Sequence, residues 1–113
     1  DSQKKAKDIL AYIHEHYAED IQINDIVTNT CISRSDCFRA FQRYANKSPI
    51  EYLTEYRLAH AVNLLMETNK SITQVAIECG FASPSYFGKV FKKKYAVTPL
   101  QFKKSMISPE VKQ

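Results

Sequence analysis

Lys89, Lys92, Lys93, Lys94, Lys103 and Lys104 fall in a stretch, Cys79 to Pro109, that contains no Asp or Glu. Such a run of uncompensated ammonium groups suits a polyanion, although a merely solvated lysine face is the commoner meaning of a charge run. About fifty residues earlier Arg34, Arg39, Arg43 and Lys47 form a second basic group, offset by Asp36. Other chemistries find little support. His14 and His16 are two apart on a helix and point to different faces, which excludes a simple shared metal, and His60 stands alone. Cys31, Cys37 and Cys79 make an odd count with no C-x-x-C pair, so neither a disulfide framework nor a zinc site is suggested. All three read as core. The expectation is a protein that is not an enzyme and needs no metal and no cofactor.

Composition sets the bounds around these groups. At 113 residues the chain is long enough for one compact domain or two very small ones, and too short for most enzyme scaffolds. The net charge of +4 favours an acidic partner, but only the distribution of charge can identify one. Two Gly, four Pro and 44% hydrophobic residues describe a folded helical chain, not a disordered or turn-rich one. No run of about 18 apolar residues and no signal segment is present, so the expected location is cytoplasmic, away from any membrane. The start at Asp1 and a polar tail over 108–113 suggest a piece of a longer polypeptide.

The chain repeats itself. Phe41, Ser48, Pro49, Ile50 and Tyr52 recur at an offset of 50 as Phe91, Thr98, Pro99, Leu100 and Phe102; Ile23, Ile26, Val27, Cys31 and Ile32 recur at an offset of 49 as Ile72, Val75, Ala76, Gly80 and Phe81. Capping boxes place helix starts at Ser48-Pro-Ile-Glu51, Ser71-Ile-Thr-Gln74 and Thr98-Pro-Leu-Gln101, with weaker starts at Ser33 and Ser83. Together with apolar spacing they predict an all-α fold of seven helices, at about 3–17, 23–30, 34–45, 49–67, 72–79, 84–95 and 99–106. Ile9, Tyr12, Ile13 and Tyr17 form the buried face of the first; Ile50, Leu53, Ala61, Leu64 and Leu65 that of the long fourth. Each short helix followed by a tight turn and a helix of about twelve residues is a helix-turn-helix unit. Gly80 suits a turn position that needs positive φ; Cys31 at the matching place is a departure. The division expected is a first unit over 1–48, a linker helix over 49–67, a second unit over 68–107, and the tail.

In such a unit the second helix can enter the major groove of double-stranded DNA, about 12 Å wide, if its outer face is polar or small. Helix 34–45 would turn Arg34, Ser35, Phe38, Arg39 and Gln42 outward, opposite Cys37, Phe41 and Tyr44 in the core. Helix 84–95 would turn Ser85, Tyr86, Gly88, Lys89 and Lys92 outward, opposite Phe87, Val90 and Phe91. The candidates for base edges are therefore Arg34, Ser35, Phe38, Arg39, Gln42, Ser85, Tyr86 and Lys89. Arg39 and Lys89 hold equivalent places and both can donate to guanine O6 and N7. Phe38 reads either as a partly exposed core residue or as an apolar contact to a thymine methyl. Candidates for phosphate are Ser33, Arg43, Lys47, Ser83, Lys92, Lys93 and Lys103.

Two stretches carry a family resemblance. The stronger is Ser71-Ile-Thr-Gln-Val-Ala-Ile-Glu-Cys-Gly-Phe-Ala-Ser-Pro-Ser-Tyr-Phe-Gly-Lys-Val-Phe-Lys-Lys with Thr98-Pro99 and Phe102-Lys103; the weaker comprises Ser33, Arg39, Phe41, Ser48-Pro49, Tyr52-Leu53, Arg57-Leu58, Ala61 and Leu64-Leu65. They resemble the C-terminal DNA-binding domain of the AraC/XylS family of bacterial transcription regulators, over roughly residues 5–106. The resemblance implies two helix-turn-helix subdomains joined by helix 49–67, recognition helices at 34–45 and 84–95, and two successive major-groove segments read to control transcription. It also implies an N-terminal effector or dimerisation domain elsewhere in the protein. Cys31 and Ala96 stand where glycine is frequent, Cys37 where leucine is, and Lys89 and Lys103 where arginine is common. Glu15, Glu19, Glu55 and His60 could meet RNA polymerase or a partner domain, although simple solvation accounts for them first.

Overall fold

The computed structural model describes the backbone of residues 1–111 and the side chains of residues 1–106. Among the described residues it contains seven helices and no strand: α1 (Ser2–His16), α2 (Ile23–Thr30), α3 (Arg34–Ala45), α4 (Pro49–Glu67), α5 (Ile72–Glu78), α6 (Pro84–Tyr95) and α7 (Pro99–Val111). The all-α reading and its seven helices hold. Helix α7 continues past the expected end at 106, its backbone helical as far as Val111. The expected polar tail over 108–113 is therefore helical up to 111, and its last two residues lie outside the described ones.

Helix starts follow the capping chemistry. Glu51 accepts from the amide of Ser48 and returns its own amide to the serine hydroxyl (2.8 and 3.1 Å); Ser71 with Gln74 and Thr98 with Gln101 close the same reciprocal pair. Two caps have no Ser or Thr to announce them. Asp1 accepts from the amide of Lys4, and at the start of α2 the carboxylate of Asp25 accepts from the amide of Gln22 at 2.8 Å.

The chain divides into two compact units, the first Asp1–Tyr56 and the second from Arg57 onward, so that the boundary falls inside α4. In the first unit Ala6, Ile9 and Ile13 of α1 pack with Ile21, Ile26, Ile32, Cys37, Phe41 and Leu53. In the second, Leu58, Ala61 and Leu65 of α4 pack with Val75, Ala76, Cys79, Phe81, Phe87 and Phe91. Three core assignments need correction. Tyr44 is 49% exposed, at an open groove that it lines with Ser2 and Gln3 of α1, and its place in the buried stripe is taken by Ala40. Ile50 is 37% exposed; the residue buried at that corner is Pro49. Cys31 is exposed, whereas Cys37 and Cys79 are buried, and loss of hydration pushes the Cys79 thiol up to about 11. His14 and His16 meet separate partners, the Tyr52 hydroxyl at 2.7 Å and the Glu19 carboxylate at 2.8 Å.

The two tight turns solve one geometric problem in two ways. After α5 the amides of Gly80 and Phe81 donate back to Ile77 and Ala76 (3.1 and 3.0 Å), with Gly80 at φ 87°. After α2 a single bond from the Cys31 amide to the Val27 carbonyl (3.0 Å) closes the turn, with Cys31 at φ 59°. The departure at Cys31 thus keeps the left-handed backbone and accepts its steric cost. Ala96, which ends α6 at φ 69°, does the same. Cys31→Gly and Ala96→Gly are each expected to raise stability by about 0.5–1 kcal/mol, after allowing for the extra freedom of glycine in the unfolded chain. Denaturant unfolding would measure this, and a loss of stability in both variants would show that neither turn is strained.

Candidate nucleic-acid interface

Both candidate reading helices are held from one side. Cys37, Ala40 and Phe41 bury the inner face of α3; Phe87 and Phe91 bury that of α6, with Val90 packed beside them. The helical repeat of about 3.6 residues then sends the positions between them outward without any further device. Ser33 and Ser83 start the two helices, each hydroxyl oxygen accepting from the amide three residues on, Asp36 at 3.2 Å and Tyr86 at 3.1 Å. Each hydroxyl still has its proton to donate to an approaching phosphate oxygen.

On α3, Arg34, Ser35, Arg39 and Gln42 are exposed and Phe38 is half-buried. Ser35, Phe38, Arg39 and Gln42 line a shallow open concavity together with Ser48. The Arg34 guanidinium lies 5.8 Å above the Phe38 ring, and Gln42 donates through Nε2 to Oδ1 of Asn46 at 2.9 Å. The candidate base readers of α3 are therefore gathered on one stripe. Arg43 is not with them: it lines a different groove with Ser2, Gln3, Ala40 and Tyr44.

Arg39 is not an isolated cation. Its Nη2 lies 2.8 Å from Oδ1 of Asp36, while Nζ of Lys5, from α1, lies 3.0 Å from Oδ2. One carboxylate thus orients the guanidinium and ties α1 to the start of α3. The hydrogen bond from Lys5, and then that from Arg39, hold the Asp36 carboxyl below the usual carboxylate range. Lys5 lies 31 residues from Asp36, and no spacing in the sequence announces the pair.

On α6, Ser85, Tyr86, Lys89, Lys92 and Lys93 are exposed, and the Tyr86 ring leans on Phe81 at 6.3 Å. Among the described residues no hydrogen bond or ion pair engages the side chain of Lys89, Lys92 or Lys93. Two other phosphate candidates have partners within their own unit. Lys47 pairs with Glu55 at 2.6 Å, and Nζ of Lys103 donates to the Lys70 carbonyl at 2.7 Å. Among the described residues no cluster of His, Cys, Asp and Glu could hold a metal, and no helix is long and apolar enough to cross a membrane.

A short helix, a tight left-handed turn and a longer helix with its outer face polar, present twice in one chain, define a double helix-turn-helix domain. A family model described as a helix-turn-helix domain matches residues 26–105. The HTH-type transcriptional regulator YdeC of Bacillus subtilis is 39% identical over 100 residues, 88% of this chain and 34% of that protein. The melibiose operon regulatory protein of Escherichia coli is 32% identical over 96 residues, 85% of this chain and 32% of that protein. Among solved structures, an AraC-type transcriptional regulator from Chromobacterium violaceum matches at a TM-score of 0.84 and 30% identity, over 96% of each chain. The C-terminal domain of AraT, a response regulator from Geobacillus stearothermophilus, matches at 0.86 and 25% identity, over 89% of this chain and 84% of that one. The chain belongs to the AraC/XylS-type helix-turn-helix family, whose domain is the DNA-binding part of transcriptional regulators and not an enzyme. It spans about a third of the length of relatives such as YdeC, 34% in that case.

The charged lock at Asp36 has a measurable signature. Because its carboxyl is held low in the folded state, it contributes stability that is present above the unfolded value of about 3.9 and is lost as pH falls through the folded value. In Asp36→Asn the acid limb of a melting-temperature profile between about pH 5 and pH 2 should be shallower than in the wild type. An unchanged limb would mean that the two ion pairs do not form in solution.

Proposed function

We propose that α3 and α6 are two recognition helices that enter successive major-groove segments of one DNA duplex, so that the domain positions a bacterial transcription regulator on its site in the cytoplasm. The observation that carries this reading is the outer stripe of each helix, backed by a buried phenylalanine and opened by a serine cap. Arg34, Ser35, Phe38, Arg39 and Gln42 on α3, with Ser85, Tyr86 and Lys89 on α6, are the residues proposed to meet base edges. Ser33, Ser83, Arg43, Lys92 and Lys93 are proposed to meet phosphates; Lys47 and Lys103 can do so only by sharing or leaving their partners within the unit. The division of labour is unequal. Lys89, Lys92 and Lys93, whose side chains have no partner among the described residues, suit α6 to anchoring on the backbone, whereas the guanidinium of Arg39, oriented by Asp36, suits α3 to discrimination. The effector-binding or dimerisation role belongs, on this reading, to the two-thirds of the relatives' length that this chain does not span.

Duplex binding by the domain should weaken steeply between about 50 and 200 mM salt, as several phosphate contacts require. Arg39→Ala and Lys89→Ala should each cost about 1–3 kcal/mol on the preferred duplex and relax preference at separate positions. Equal losses on every sequence would remove both from base readout. Asp36→Asn has the opposite expectation for affinity and specificity. Removing a carboxylate beside the phosphates strengthens binding to unrelated duplexes, while the freed guanidinium narrows the preference for the selected one. Binding isotherms on the two kinds of duplex would separate these effects, and a uniform shift on both would show that Asp36 does not orient Arg39.

A further inference from the structure

Gly88 is an anomaly within α6. It lies in the interior of a twelve-residue helix, where glycine destabilises by about 1 kcal/mol relative to alanine. Its backbone does not require glycine, since Gly80 is the glycine with positive φ. Nor does packing require it, because a Cβ built at 88 meets no atom within 4 Å beyond the adjoining backbone of its own helix. Nothing in the fold explains why a side chain is absent there.

Its neighbours indicate what does. Gly88 falls three residues after Ser85, one before Lys89 and four before Lys92, so all four lie on one stripe. The equivalent place in α3, at the repeat offset of 50, holds Phe38 beneath the Arg34 guanidinium. The two outer stripes thus differ at this matching position, with a ring on one and bare backbone on the other.

We propose that Gly88 is a close-approach point, where the backbone of α6 comes into van der Waals contact with the DNA duplex and a side chain is excluded by the groove. This rests on the reading of α6 as a recognition helix and deepens it. The cost to the helix is then offset by a shorter distance from Ser85, Lys89 and Lys92 to the duplex. On α3 the Phe38 ring fills the matching space and contributes apolar contact to a base edge instead.

The test uses the 113-residue chain and a duplex selected by the wild type from a random library, with thermal melting and binding measured for Gly88→Ala and Gly88→Val. Gly88→Ala is expected to raise Tm by about 4 °C. Its affinity for the selected duplex is expected to fall about tenfold or more, and Gly88→Val should bind more weakly still. The dependence on salt should keep its slope, since no ion pair is lost. A Gly88→Ala variant that binds as tightly as the wild type overturns the proposal and leaves the reading of α6 intact, as does one whose Tm falls with its affinity. A wild-type chain that selects no duplex overturns the reading itself.

Discussion

A helix that is to lie in a groove can be supported only from behind, and in both units that support is a phenylalanine with no exposed surface. Phe41 fills the centre of the first core and Phe91 that of the second. Burying a side chain of this size contributes about 1.5–3 kcal/mol, a substantial part of what so small a unit can gather. It also sets the rotation of each reading helix about its own axis. Once residues 37 and 41, or 87 and 91, point inward, residues 35, 39 and 42, or 85, 89 and 92, point outward, and 38 and 88 fall between the two faces. Much else in each unit supports that one orientation, from the serine caps to the short helices that close over the inner face.

The turn before each reading helix is the second constraint. A reversal this tight needs one residue in the left-handed region, and it is met at Gly80 and Cys31 with different chemistry. Glycine takes the conformation without a Cβ clash and allows two bonds back to α5. Cysteine takes it with a clash and one bond, its thiol left exposed. The two units therefore share a backbone path while differing in local strain.

Charge separates the units further. At the third position of its reading helix the first unit has Asp36, which engages both Arg39 and Lys5; the second has Tyr86, and among the described residues no carboxylate pairs with the side chains of Lys89, Lys92 and Lys93. One arrangement restrains a guanidinium before any ligand arrives, which favours geometric selectivity. The other leaves exposed ammonium groups, which favours long-range attraction to a polyanion.

How much of this was legible beforehand depended on whether the cause was local. Helix starts at Ser48, Ser71 and Thr98 were determined by the sequence itself, because a cap is a contact between residues three apart. The repeat and the outward stripes were legible for the same reason, since periodicity is a property of the chain. Tyr44 and Ile50 were misplaced because apolar spacing says which face is buried but not how completely neighbouring helices cover each side chain on it. Cys31 could be recognised as a departure, but only the folded backbone decided that it would adopt the left-handed turn and leave its thiol in water. The clasp of Lys5 and Arg39 on Asp36, the pairing of Lys47 with Glu55, and the open space beside Gly88 were decided by tertiary structure alone. Each depends on which side chains two helices bring within a few ångströms of one another, and that distance is not a function of sequence separation.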